Sequence, residues 1–149
     1  MSEVSILRLY LLRAMYFMIA FLMGSGIWQR LVSHEPWQQM EGVAYAMLGA
    51  LALTAVLGIR YPLQMLPLLL FEFAWKVVWM LMVAWPQSRL GPLDAGNAST
   101  FYEVLFGVIL LPLLLPWKYL FANYVQKPGD RWRRRRSSDP DPVAAPVRG

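Results

Sequence analysis

The stretch Leu63 to Trp85, LQMLPLLLFEFAWKVVWMLMVAW, constrains this chain more than any other. About 20 mostly apolar residues of helix cross the hydrocarbon core of a bilayer, and this stretch is long enough to do so with Glu72 and Lys76 near its middle. A charge at bilayer centre costs about 2.5 to 3.5 kcal/mol on insertion scales, while each Leu, Ile, Phe or Val returns about 0.3 to 0.6. The eleven Leu, Phe and Val residues here therefore offset two charges with little left over. On a helix Glu72 and Lys76 stand four apart on one face, acid first, the favourable order for an ion pair. The expectation is a membrane helix that inserts with its charges already paired.

The rest of the chain supports that class. With 58% hydrophobic and 15% charged residues among 149, and a mean hydropathy of +0.41, it reads as an integral membrane protein of one domain. No cysteine is present, which excludes disulfides, thiol relays, thiolate metal sites and iron–sulfur ligation. A single histidine argues against haem held by two imidazoles. The net charge of +5 describes the C-terminal end, where Arg131 and Arg133 to Arg136 cluster.

Three further apolar runs complete an all-α, polytopic four-helix transmembrane bundle over residues 1–126. The first span covers about 9–31, with Arg8 and Arg13 at its start and Arg30 near its end, and reads as an uncleaved signal anchor, since apolar residues interrupt its basic region and no A-x-A site follows. The second covers about 40–59 and carries Gly42, Ala46, Gly49 and Ala50, a small-residue stripe that allows close helix packing. Gly58 to Pro62 makes a tight turn into the third span, about 63–85. The polar stretch 87–100 is the longest internal loop. Thr100 and Glu103 match a capping box, so the fourth span is expected over about 101–121, interrupted by Pro112 and Pro116. Residues 127–149, rich in Arg, Pro, Ser and Asp, are expected to be a disordered basic cytoplasmic tail.

Lysine and arginine counts orient the bundle. With both termini in the cytoplasm of a bacterium and the bundle in its inner membrane, Arg8, Arg13, Arg60 and Lys118 lie inside while Arg30 and Arg89 lie outside, and the arginine cluster falls on the inner side as well.

The candidate intramembrane site is Glu72, Lys76 and Trp79, which share a helical stripe with Met65, Leu69 and Val83. Such a surface can bind a polar headgroup or pass protons. The plainer role is a self-neutralised pair that fixes how the bundle packs, and few further polar stations are available for a relay, Thr54 being one. Pro112 and Pro116 free backbone carbonyls, as at transporter binding sites, but proline also serves as a packing kink. His34, Glu35 and Glu41 match no metal motif, and no metal or other cofactor is expected. Trp75 and Trp79 read as packing aromatics. Arg131, Arg133, Arg134, Arg135 and Arg136 follow a membrane span, where each contributes about 1 kcal/mol of attraction to an anionic leaflet. Anionic lipid headgroups, rather than nucleic acid, are the expected partner of that cluster.

The arginine-flanked RLYLLRAMYFMIAFLMG, the glycine-bearing second span ending GIRYPL and the four-helix layout resemble the DoxX-like group of small bacterial membrane proteins, over roughly Arg8 to Tyr124. The resemblance implies association with a quinone-linked redox system, with quinone as its cofactor, and transfers no binding residue. The leading expectation from the residues is an accessory or assembly protein, not an enzyme, that binds a membrane-protein partner or a second copy of itself. The alternatives are a small-solute or proton-coupled transporter using Glu72 and Lys76, and a quinone-associated redox subunit.

Overall fold

In a computed structural model, residues 4–33 and 36–129 are described. The tail from residue 130 onward, with the cluster Arg131 and Arg133 to Arg136, and His34 with Glu35 lie outside the described residues. Four helices are long and apolar enough to cross a membrane: α1 Ile6–Val32, α2 Gln39–Arg60, α3 Leu66–Leu90 and α4 Ala95–Leu114. A short helix, α5 Trp117–Leu120, continues into a wide-turn segment, Phe121–Gln126. The chain is an all-α, multi-pass membrane protein.

The helices form two antiparallel hairpins, α1 with α2 and α3 with α4. In the first, small residues set the approach. Gly24 of α1 faces Ala52 of α2, with the Ala52 Cβ 3.0 Å from where a Cβ on Gly24 would stand, and Gly49 receives Leu31 and Trp28. Nearest the chain's N-terminal end, the Tyr16 ring lies directly on Gly58, where a side-chain carbon would overlap it. Its hydroxyl donates to the Pro62 carbonyl at 3.1 Å. Tyr16 is fully buried, so one aromatic residue ties α1 to both the end of α2 and the turn that follows. Close backbone approach of this kind takes the place of hydrophobic driving force between helices in lipid.

The hairpins meet at this same end, called here the basal end, where α1 and α3 begin and α2 and α4 finish. Leu12, Met15, Tyr16 and Ile19 of α1 pack with Leu51 and Ala55 of α2, Leu66 and Leu69 of α3, Leu111 of α4, and Leu115 and Leu120 beyond it. The far end of the first hairpin is held by polar contacts instead. Arg30 pairs with Glu41 at 2.8 Å, donates to the Tyr45 hydroxyl at 2.7 Å, and stacks over the Trp37 and Tyr45 rings.

Proline decides several local features. A proline ring clashes with the carbonyl four residues back and supplies no N–H. Before Pro86, α3 widens over Met80–Ala84 so that the Trp85 N–H bonds Met80 O, five residues back. Before Pro128, the chain widens over Phe121–Gln126 with the Lys127 N–H on Ala122 O. Helix α4 stops where Leu115 turns extended (φ −63°, ψ 129°), the conformation a following proline imposes. Pro116 also leaves the Pro112 carbonyl without its α-helical donor, and the Trp117 indole N–H fills that place at 2.8 Å.

The start of α4 differs from the sequence expectation. Asp94, not Thr100, caps the helix, its carboxylate accepting from the Asn97 N–H at 3.2 Å. Thr100 lies inside the helix with its hydroxyl donating to the Gly96 carbonyl, and Glu103 is exposed. The capping pattern was real in spelling, but Asp94 offers an equally good acceptor one and a half turns earlier. The polar residues 95–100 therefore extend α4 past its apolar part, and its other end falls at Leu114 because Pro116 stops it.

Candidate intramembrane charge site

Helix α3 runs without a break through Glu72 and Lys76, so the four-residue spacing places both side chains on the face toward α4. Glu72 is 2% and Lys76 7% exposed, and they are the buried charged residues among those described. The Lys76 ammonium is in direct contact with Glu72 Oε1. The other carboxylate oxygen, Oε2, accepts from the Trp75 indole N–H at 2.6 Å. The Trp75 ring also lies beneath the lysine, its centroid 4.3 Å from Nζ. Acid, amine and indole thus close a triangle in which each member touches the other two.

The stem of Lys76 is placed by a residue on the neighbouring helix. A Cβ on Gly107 of α4 would stand 2.6 Å from Lys76 Cε and 2.8 Å from Cδ. Gly107 is buried, as are Val104 and Leu111 one turn to either side. The glycine opens a slot in α4 that the lysine stem fills, which leaves little of Lys76 exposed. Both carboxylate oxygens have donors, and the ammonium has a carboxylate and an aromatic face. In a medium where an unpaired charge costs several kcal/mol, this is a closed, satisfied arrangement. It can fix the register of α3 on α4 and needs no ligand to complete it.

Of the residues expected here, Glu72 and Lys76 come together. Trp79 sits one turn beyond Lys76 and is half-buried, and the indole that bonds the carboxylate is that of Trp75. The signal for Trp75 is present in the sequence, since positions three apart on a helix also face one another. Gly107 carried no comparable signal, because its partner lies 31 residues back. Thr54 bonds within its own helix, to the carbonyls of Ala50 and Leu51, and adds no station to the pair. On α2, Gly49 is buried and Gly42 abuts Trp37, whereas Ala46 and Ala50 face outward. The small residues packed against α1 instead continue from Gly49 through Ala52 and Ala55 to Gly58. Those positions recur every three residues, one i±3 row of the helix surface.

No family model, no curated protein and no solved structure matches this chain. No set of three or more His, Cys, Asp or Glu residues suited to a metal ion occurs among the described residues.

The slot predicts a specific non-additivity. Gly107→Ala should destabilise the bundle by about 1 to 3 kcal/mol, the usual cost of overpacking, despite alanine's better helix propensity. In a Lys76→Met, Glu72→Leu background the thioether can yield, and the same substitution should cost less than half as much. Thermal unfolding of the four proteins in detergent, followed by tryptophan fluorescence, measures the cycle.

Proposed function

We propose that this chain is an accessory or assembly protein of the bacterial inner membrane, with both termini cytoplasmic, which acts by offering a helical surface to a membrane partner. The observation that carries this reading is the completeness of the Glu72–Lys76–Trp75 triangle. A transport or proton-relay site needs an open coordination position or a further station, and here both carboxylate oxygens and the ammonium are engaged. The charges then serve to hold α3 on α4, and the outward helix faces remain for interaction. Among the described residues Arg8, Arg13, Arg60 and Lys118 sit toward the basal end and Arg30 and Arg89 toward the other, the distribution expected if the basal end faces the cytoplasm.

Extraction from native membranes in mild detergent, followed by mass spectrometry of the intact particle, tests this reading. A defined complex with a second protein or a second copy is the expected result, and a reproducibly solitary chain would overturn it.

A transport reading is favoured by one feature, the widened turn Met80–Ala84, one turn beyond Lys76. Wide turns of this type recur at functional sites. It borders a hollow of about 520 Å³ between α3 and α4 that is also lined by Trp85, Phe101 and Tyr102. On that reading reconstituted vesicles carry a solute or proton flux that Glu72→Gln abolishes. On the assembly reading they stay at background for wild type and variant alike. The DoxX-like resemblance and a quinone role would be supported by quinone retained in the same purified particle.

A further inference from the structure

Arg13 differs from the other cations of the basal end. Arg8, Arg60, Lys118 and Lys127 are exposed, while Arg13 is half-buried. Its Nε is shut off from the surroundings and has no hydrogen-bond partner among the described residues. No hydrogen bond or ion pair of the Arg13 guanidinium occurs among the described residues, and an unpaired charged donor out of bulk water costs about 1 to 3 kcal/mol or more, so this position favours an acceptor that meets its terminal nitrogens.

The depth of Arg13 indicates where that acceptor comes from. Tyr16 marks the level of the α2–α3 turn through its bond to the Pro62 carbonyl. Arg13 precedes Tyr16 by three residues, hence lies one turn nearer the basal end on the same side of α1, and helical side chains lean toward the helix N-terminus. The guanidinium therefore extends toward the basal end, beside the Tyr10 ring 5.6 Å away. Ile6 and Leu7, about two turns farther out, are apolar and exposed, so this level belongs to the membrane boundary rather than to free solvent. The acidic side chains among the described residues are elsewhere: Glu72 is paired at mid-span, and Glu41, Asp94 and Glu103 stand toward the other end.

We propose that Arg13 is the seat of a specific site for the phosphate group of an anionic phospholipid, held against the basal end of the bundle by the guanidinium fork. Arginine matches phosphate oxygens in a bidentate geometry that lysine does not. Exposed Arg60 and Lys118 add attraction without geometry. This inference goes beyond the assembly reading and does not depend on it, since a transporter would carry the same site.

The test uses the full chain, purified in a neutral detergent and stripped of lipid. Phosphatidylglycerol or diacylglycerol is then added, and bound lipid is counted by native mass spectrometry. Wild type should retain phosphatidylglycerol about tenfold better than diacylglycerol, which lacks the phosphate, the scale of one charge-assisted bond. Arg13→Gln should reduce that preference to about twofold, Arg13→Lys to an intermediate value, and Arg8→Gln should leave it within about twofold of wild type. A preference that survives Arg13→Gln, or that falls equally with Arg8→Gln, would show diffuse attraction and overturn the site. Displacement of the lipid by millimolar inorganic phosphate would overturn the lipid as its ligand. Arg13→Lys keeps the cation, so a folded, monodisperse Arg13→Lys protein keeps the comparison valid if Arg13→Gln fails to fold.

Discussion

Lys76→Met should remove a large part of the stability of the folded bundle. The substitution keeps the side chain's length and apolar stem in the Gly107 slot and deletes only the ammonium. What remains is Glu72, 2% exposed, with one oxygen on the Trp75 indole and the other facing hydrocarbon. Breaking a buried pair by removing one partner costs about 3 to 5 kcal/mol, because the surviving charge is stranded. Domain stabilities are typically about 5 to 15 kcal/mol, so such a loss is enough to lower the yield of folded protein severely. Thermal unfolding in detergent, with gel filtration to report monodispersity, measures it. The companion variant distinguishes structure from chemistry. Replacing both partners, Glu72→Leu with Lys76→Met, leaves no charge to strand and should restore stability to wild type or above. A structural pair predicts that the double variant folds and still assembles. Normal folding of Lys76→Met alone, with loss of a measurable flux, would instead assign the pair to transport.

Much of the architecture could be read from residue order, for physical reasons that stop at identifiable places. Apolar length announces a span because the bilayer has a fixed thickness, and all four helices lie where the apolar runs do. The Glu72–Lys76 contact was legible because it is local, four residues within one helix. Helix ends were less so, since Asp94 and Thr100 are both competent caps and the choice between them depends on how far polar residues 95–100 can extend α4 beyond the bilayer. Pairings between helices were not legible at all. That Gly107 makes room for Lys76, that Tyr16 lies on Gly58, and that Ala52 rather than Ala50 meets α1 depend on the rotation of one helix against another. Hydropathy leaves that rotation free in an all-round apolar helix. Trp117 falls between these cases: the lone carbonyl that Pro116 creates is foreseeable, while the indole that answers it requires the chain to turn after Leu115.

The junction of the two hairpins leads to a second large effect, at a position with no charge. Gly58→Ala adds one methyl group to α2, a change that alone favours a helix interior by roughly 1 kcal/mol. Here the new carbon would overlap the ring of Tyr16, a rigid, fully buried group that cannot bend aside. Either α1 and α2 separate or the ring leaves its place and loses its bond to Pro62. Overpacking costs about 1 to 3 kcal/mol, and expelling a large aromatic side chain from a packed site costs about 3 to 5. After the gain in helix propensity the net effect should be a destabilisation of up to about 2 kcal/mol if the helices part, and of about 2 to 4 kcal/mol if the ring is expelled. Tyr16→Phe should cost only about 0.6 kcal/mol, the mean measured for hydrogen bonds between membrane helices, because the ring remains. In a Tyr16→Ala background the space under the added methyl is already empty, so Gly58→Ala should become neutral or mildly stabilising. That reversal of sign, read from unfolding temperatures of the four proteins, is the decisive comparison. Equal destabilisation by Gly58→Ala with and without the ring would mean that Tyr16 does not occupy the notch that joins α1 to the α2–α3 turn.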